Sequence, residues 1–512
     1  MKLTLETNGN VEINTYYLQT LCMIFWPGVR FGAAHESDED EPSVKFLMTE
    51  EPDGISARVT ISDKTKMTSV KREVSFSDEH TRASTAKLAA GNAMLDAGGQ
   101  FMHYSPSWGI MTGVRPAKVA SDYLHRGYTP AKTRAALRSE YSLFPRKAAL
   151  VTEVAQLEDK IAAPYYNGWC SLYISIPFCP SRCIYCSFVS YTSKKLLSLI
   201  PDYVKAVCLE IKEKLDLIKR LGLKIAAVYI GGGTPTILTE EQLTEVLTTV
   251  YDNYDVSTLL EYTLEAGRPD TITGEKLRIA KKLGVTRISV NTQTINDTVL
   301  ESIGRHHTAA DFYRAFETAV NSGIDCINTD LIAGLPGESF VSFSKSFDKV
   351  VELHPENITV HTFSVKKAAE ILRHGASVYS RVNKEAGKSV DYSQIGAKEA
   401  GYRPYYLYRQ KNTVGNYENV GFSLDGYEGL YNIFMMEEIH TVFAAGAGAV
   451  TRLVSERADG TDMKIPVRIE RIFNPKYPYE YLRRPDPEKQ GDANPSDERR
   501  IFEFYGRGDD II

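Results

Sequence analysis

The chain has 512 residues, with 60 basic and 65 acidic side chains giving a formal net charge of −5, and it is 43% hydrophobic and 24% charged. That length exceeds one ordinary domain at roughly 100–200 residues each. The composition excludes disorder as the main state, the acidic balance argues against a broad nucleic-acid surface, and no apolar run approaches the roughly 18 residues of a membrane-spanning helix.

Met1–Glu6 carries no apolar stretch leading to a small-residue cleavage site, so a cytoplasmic protein is the expectation. The first 165 residues read as an α+β unit. Leu3–Ile13 alternates like a strand, Tyr16–Phe25 fits an apolar helix, and Val44–Met48 with Ile55–Ile61 makes a strand pair turned at Pro52-Asp53-Gly54. Helical patterns follow at Thr81–Ala97, Arg115–His125, Thr129–Glu140 and Arg146–Ile161, supported by alanine content and proline punctuation.

From Leu172 short apolar strands alternate with amphipathic helices. Strands are expected at Leu172–Ile176, Ala226–Ile230, Tyr262–Glu265, Arg287–Asn291, Asp325–Leu331 and Ile358–Thr362. The helices between them are Asp202–Leu221, Thr239–Tyr251, Gly274–Lys282, Ala309–Ser322 and Phe340–Leu353. Six such units imply a parallel sheet with right-handed crossovers, curled into a partial (β/α)6 barrel. Chemistry in βα barrels sits where strands end, so the residues just after each strand are the candidates. Beyond residue 380 the rhythm stops: a helix over Lys384–Ala400 ends at Gly401, an aromatic and basic run follows over Tyr402–Lys411, and Arg483–Ser496 reads as an exposed linker. The expected division is therefore an N-terminal accessory domain (1–165), the partial barrel (166–380) and a C-terminal α+β extension covering the substrate (381–512).

The seven cysteines are odd in number and unevenly placed, which makes a disulfide framework improbable. Cys22, Cys170, Cys208 and Cys326 sit among apolar neighbours, as packing thiols do. Cys179, Cys183 and Cys186 instead share the loop after the first barrel strand, in Pro177-Phe178-Cys179-Pro180-Ser181-Arg182-Cys183-Ile184-Tyr185-Cys186. Thiolates spaced C-x3-C-x2-C can converge on three corners of a cubane iron–sulfur cluster and leave one iron open. The competing reading, a structural zinc site, needs four protein ligands, and no second Cys or Cys/His pair at suitable spacing stands nearby.

Tyr173-Ile174-Ser175-Ile176-Pro177-Phe178 with the cysteine triad resembles the radical S-adenosylmethionine superfamily, within it the oxygen-independent coproporphyrinogen III oxidase (dehydrogenase) family. The resemblance spans about Leu172–Ala449. It implies a [4Fe–4S] cluster held by Cys179, Cys183 and Cys186, with one or two S-adenosylmethionine molecules, Tyr185 packing near the adenine and Tyr173 in a catalytic position. Gly231-Gly232-Gly233-Thr234, which alone would be a turn, matches the family's site for the methionine amino group. Glu265, Gln293, Arg305 and Asp330 resemble its positions serving ribose, carboxylate or a second cofactor, while His306, His307 and His361 fit capping or solvated roles equally well. The implied reaction is one-electron cleavage of S-adenosylmethionine followed by removal of a propionate β-hydrogen, CO2 and an electron. Two rounds would convert coproporphyrinogen III into protoporphyrinogen IX, with a reductase or flavodoxin-type protein as electron donor.

Arg403, Arg409 and Lys411, with Lys366 and Lys367, have the composition to meet the carboxylates of such a substrate. A solvated edge strand explains the Tyr402–Lys411 run as well. The pattern also departs from the well-studied dehydrogenases. Phe188 stands where they carry a further cysteine, and Tyr431-Asn432-Ile433-Phe434-Met435-Met436 replaces a His-Asn-x-x-Tyr-Trp motif shared with the heme-chaperone branch. Gly446-Ala447-Gly448-Ala449 fits the family's later motif, and Trp108–Lys118 in the long N-terminal extension resembles the HemZ-type branch. Two other functions stay open: heme binding or delivery without decarboxylation, and radical chemistry on another tetrapyrrole.

Overall fold

The computed structural model describes residues 2–32, 41–364, 376–410, 413–456, 468–483 and 497–506. Lys366, Lys367 and Lys411, and most of the expected linker Arg483–Ser496, lie outside the described residues. The chain divides into two compact units, one of Met1–Gln156, Ser364–Gly387 and Leu407–Glu418, the other of Leu157–Phe363, Lys388–Tyr406 and Asn419–Ile512.

The first unit holds a five-stranded sheet made of β1 (Lys2–Gly9), β2 (Arg30–Gly32), β3 (Ser43–Glu51), β4 (Gly54–Ser62) and β5 (Met67–Ser75), in the order β2-β1-β3-β4-β5. β3, β4 and β5 are antiparallel neighbours, whereas β1 runs parallel to β2 and β3. Val44, Phe46 and Met48 alternate onto the face that packs in one core with Leu18, Leu21 and Phe25 of helix Thr15–Phe25 and Ala89, Ala93 and Met94 of helix Arg82–Met102. The Asn14 side chain caps the first helix by accepting the amides of Tyr16 and Tyr17. β5, absent from the expected elements, is an edge strand exposed along most of its length. Helices Pro116–His125, Pro130–Glu140 and Pro145–Ala162 each start on a proline, whose missing N–H costs nothing at the first helical position.

The second sheet has eleven strands: β6 (Trp169–Ile176), β7 (Lys224–Gly232), β8 (Glu261–Leu264), β9 (Arg287–Ser289), β10 (Cys326–Ala333), β11 (Asn357–Thr362), β12 (Arg403–Arg409), β13 (Glu418–Ser423), β14 (Thr441–Ala445), β15 (Val450–Val454) and β16 (Ile469–Phe473). Its order is β12-β13-β11-β10-β9-β8-β7-β6-β14-β15-β16, so among the described residues it remains open. β6 to β11 are parallel neighbours in chain order, the six strands of a partial barrel. β14 lies parallel to β6 and extends that run, while β13 is antiparallel to β11.

The crossover helices follow from their apolar stripes. Ile200–Arg220 buries Tyr203, Val204, Val207, Ile211, Leu215 and Ile218, one face at three- and four-residue spacing. Thr239 with Gln242, and Thr308 with Asp311, form reciprocal capping boxes that fix where helices Glu240–Asn253 and Ala309–Asn321 begin. These starts place the βα loops at one end of the sheet.

Candidate active site

The cysteine loop leaves the end of β6 and is pinned at several points. The Tyr191 amide donates to Pro177 O at 2.9 Å, the Cys179 amide returns to Tyr191 O at 3.1 Å, and the Ile184 amide reaches Ile303 O at 3.1 Å. Ser181 Oγ donates to Gly304 O at 2.9 Å. Cys179 and Cys183 are buried and Cys186 is half-buried, and none of the seven cysteines forms a disulfide. Cys179 Sγ lies 3.3 Å from Thr234 Oγ1, and burial raises its thiol to about 11. Arg268 Nη1 reaches Ser181 Oγ at 3.0 Å and Cys183 Sγ at 3.9 Å. The remaining cysteines behave as expected of packing thiols, although Cys326 Sγ also accepts from Arg287 at 2.8 Å.

The glycine run at the end of β7 clamps this loop. The Gly233 amide donates to Ile176 O at 2.8 Å and the Thr234 amide to Phe178 O at 2.7 Å. A Cβ on Gly233 would lie 2.4 Å from Phe178 O and 2.7 Å from Phe178 N, so a larger residue would displace the chain just before Cys179. Gly232 has φ +104, in a region that disfavours side chains. Above Gly231 the Tyr229 ring and the Glu265 carboxylate converge, at 2.6 and 2.7 Å from where its Cβ would stand.

Glu265, the residue after β8, is pushed up to about 8 by burial and then by the nearby charge of Asp330, against a hydrogen bond from the Gly232 backbone. Asp330, on β10, keeps a lowered pKa although burial opposes its charge, because His361 at 3.5 Å and Asn328 at 2.8 Å face it. Two adjacent carboxyl groups are thus driven apart in acidity, one favouring its proton and one its charge. Gln293 sits at φ +71, an uncommon conformation for a glutamine. Its amide donates to Asp330 O at 2.9 Å, and its buried Oε1 has no hydrogen-bond partner among the described residues.

Arg305 works inward. Its Nε donates to the Tyr185 hydroxyl at 2.9 Å, and its Nη1 to Asn291 O at 2.6 Å and Gly267 O at 3.2 Å. Of the two adjacent histidines, His306 is exposed; His307 is buried, with both ring nitrogens unpartnered among the described residues, and burial lowers its pKa to about 3.

Tyr173 belongs to a stack. Its ring lies 6.2 Å from Tyr229 and 6.3 Å from Tyr431, which are themselves 4.6 Å apart, all within 24° of parallel. The buried Tyr431 hydroxyl has no partner among the described residues. The Gly446–Ala449 loop after β14 closes the same end of the sheet, its Ala447 O accepting from Ser175 Oγ at 3.0 Å.

The structure therefore gathers Cys179, Cys183, Cys186, Tyr185, Gly231, Gly232, Gly233, Thr234, Glu265, Gln293, Arg305, Asp330 and Tyr173 around the strand ends of one sheet. Arg268, Asn291, Tyr229 and Tyr431 join them without having been singled out for that role. Arg268 and Asn291 lie a few residues past the ends of β8 and β9, in the loops that also carry Glu265 and Gln293. Arg409 does not join them: it is buried in the first unit, where its guanidinium donates to Met111 O and Asn416 O. Composition alone suggested a substrate-facing cation there; Arg403, exposed and 3.3 Å from Asp425, is the solvated edge residue.

The donor set fits an iron–sulfur cluster with a polar organic ligand. Three cysteines share one pinned loop, an arginine approaches one sulfur, and the buried Oε1 of Gln293 has no hydrogen-bond donor among the described residues. The fold and the loop define the class: the pattern of the Radical SAM superfamily matches residues 173–350, and members of that superfamily use a [4Fe–4S] cluster and S-adenosylmethionine. The oxygen-independent coproporphyrinogen-III oxidase-like protein HemZ of Bacillus subtilis is 33% identical over 475 residues, covering 91% of this chain and 92% of its own. The chain belongs to this HemZ-type, coproporphyrinogen-III oxidase-like family. The heme chaperone HemW of B. subtilis is 37% identical over 38% of this chain and 51% of its own length. Among solved structures, coproporphyrinogen III oxidase HemN from Escherichia coli aligns with 64% of this chain and 71% of its own at 18% identity, with a TM-score of 0.46.

Proposed function

We propose that the protein is an oxygen-independent coproporphyrinogen III dehydrogenase, converting two propionates of that tetrapyrrole into vinyl groups and yielding protoporphyrinogen IX. The observation that carries this reading is the clamp of Gly233 and Thr234 on the cysteine loop, which fixes three thiols beside the buried polar side chains of Thr234, Arg268 and Arg305. Similarity along nearly the whole chain to a protein named oxidase-like supports it.

In this reading Cys179, Cys183 and Cys186 hold the cluster. Gly231, Gly232, Gly233 and Thr234 accept the methionine end of S-adenosylmethionine, Tyr185 borders the adenine, and Glu265, Gln293 and Asp330 meet the remaining polar groups. When bound, the pair supplies a carbon-centred radical by one-electron cleavage. The protein's own share is to orient and exclude. Arg305 fixes Tyr185, protonated Glu265 donates where Asp330 accepts, and Tyr173 with Tyr229 and Tyr431 forms an aromatic wall against which a flat macrocycle can lie. Each round would pass one propionate β-hydrogen atom to the cofactor-derived radical, release one CO2 and hand one electron to a one-electron acceptor, and a reductase or flavodoxin-type protein in a reducing cytoplasm would supply the electron that starts it.

A second reading, heme binding without decarboxylation, is favoured by the relatives named heme chaperone. Tyr431 stands in the aromatic stack where a histidine ligand would have supported it. Anaerobic incubation with reductant, S-adenosylmethionine and coproporphyrinogen III separates the two. The proposed function predicts stoichiometric CO2 with a monovinyl and then a divinyl product; tight heme binding with no CO2 would select the second reading.

A further inference from the structure

The cysteine loop reaches the surface through aromatic residues that the proposed chemistry does not use. The Cys179 amide donates to Tyr191 O at 3.1 Å, and the Tyr191 hydroxyl donates to Lys476 O at 3.1 Å. The Tyr191 ring lies 5.8 Å from that of Tyr477, which stacks on Tyr479 at 5.5 Å. Tyr477 and Tyr479 are 42% and 43% exposed, and Phe188, two residues past Cys186, is 59% exposed. Both segments rest on Gly448: its amide donates to Pro475 O at 2.9 Å, and a Cβ on it would stand 3.4 Å from Val189 of the cysteine loop.

Cations flank these rings. Arg182 donates from Nη1 to Ser190 O at 3.0 Å, Lys194 and Lys195 open the short helix that follows Tyr191, and Arg483 closes the turn after Tyr479, its amide on Glu480 O at 3.2 Å. All four are exposed, as is Lys476. Residues 182–195 contain no carboxylate side chain and residues 475–483 only that of Glu480, in a chain whose formal net charge is −5. Exposed tyrosines within a rim of arginine and lysine have the make-up of a protein-binding surface, and the sign of the rim selects an acidic partner. A cluster on this loop takes its electrons from outside the chain, and the face is continuous with the loop that would hold it.

We propose that this face docks a small acidic one-electron carrier, which passes one electron to the cluster and leaves oxidised by one electron; this rests on the reading that Cys179, Cys183 and Cys186 hold that cluster. The test is isothermal titration calorimetry of the anaerobically reconstituted full chain with oxidised flavodoxin, an acidic carrier, and with cytochrome c, a basic one. Flavodoxin should bind at one site and more weakly as salt is raised, and cytochrome c should bind more weakly by about tenfold or more. Lys476→Glu, and separately Tyr477→Ser with Tyr479→Ser, should each weaken flavodoxin binding about fivefold to tenfold. Lys282→Glu, an equal charge change on an exposed residue where helix Gly274–Lys282 leads into β9, should leave it nearly unchanged. Reduced flavodoxin should reduce the cluster more slowly in the two face variants, whereas dithionite, which needs no docking, should reduce it at the wild-type rate. Absence of saturable flavodoxin binding, equal binding by cytochrome c, an equal loss in Lys282→Glu, or unchanged binding by both face variants would each overturn the proposal, as would self-association of the chain that both face variants abolish. Flavodoxin binding with the expected losses, in a protein that dithionite cannot drive to cleave S-adenosylmethionine, would support the face and count against the proposed function.

Discussion

The Tyr185 hydroxyl accepts the Arg305 Nε–H at 2.9 Å, tying the segment between Cys183 and Cys186 to a residue 120 positions further along the chain. The same guanidinium holds Asn291 O and Gly267 O, so one side chain joins three βα loops. Tyr185→Phe deletes one acceptor of a buried guanidinium and should cost about 1.5–3 kcal/mol. Arg305→Lys keeps the charge but loses the planar fork that serves three acceptors, and should cost more. Denaturant unfolding of the cluster-free protein measures both; equal stability of Arg305→Lys and wild type would show that the tie has no energetic weight.

Gly233→Ala tests the clamp. The new Cβ would strike backbone atoms of Phe178, and backbone cannot rotate aside as a flexible side chain can. The cysteine loop should shift, and iron bound per chain after anaerobic reconstitution should fall several-fold. Gly113→Ala, where no atom lies within 4 Å of the new Cβ, serves as the control and should retain full iron.

Glu265 gives a pH dependence with a definite sign. Its folded pKa lies near 8, above the ordinary 4.5, so between those values the folded chain binds more protons than the unfolded one. Its contribution to stability is then fully present below about 4.5 and declines as pH rises toward 8. Glu265→Gln should flatten that part of the stability profile and be relatively more stable at the alkaline end. An unchanged slope in unfolding free energy against pH would contradict the assignment.

Lys147 and Glu418 form a buried pair, with side chains 4% and 0% exposed. Removing one partner strands the other, at a cost of about 3–5 kcal/mol. Lys147→Met should therefore destabilise strongly, and the double variant Lys147→Met with Glu418→Leu should recover much of the loss. A thermal unfolding series of the three proteins checks this; no recovery in the double variant would mean the pair is not the source of the cost.

Barrel strands such as Ala226–Ile230 were legible as apolar runs between turn signals, buried in the sheet. β5 escaped notice because Met67–Ser75 lies exposed along most of an edge and so carries little apolar pattern. The cysteine loop, Glu265 and Gln293 were readable from spacing and strand-end position. Arg268 and Asn291 were not, since a polar residue after a strand looks the same in sequence whether it caps a helix or faces a ligand. Arg409 shows the limit most plainly. Local composition cannot distinguish a cation at a substrate edge from one stacked on Trp108, and only the grouping of Leu407–Glu418 with the N-terminal residues separates the two.

The most direct test of the central claim is electron paramagnetic resonance of the anaerobically reconstituted, reduced protein and its Cys183→Ala variant, with and without S-adenosylmethionine. Wild type should show a [4Fe–4S] signal that changes when S-adenosylmethionine is added, accompanied by formation of 5′-deoxyadenosine. Cys183→Ala should show neither the intact cluster signal nor cofactor cleavage. A variant that keeps the full signal, its response to S-adenosylmethionine and normal 5′-deoxyadenosine formation would contradict the account.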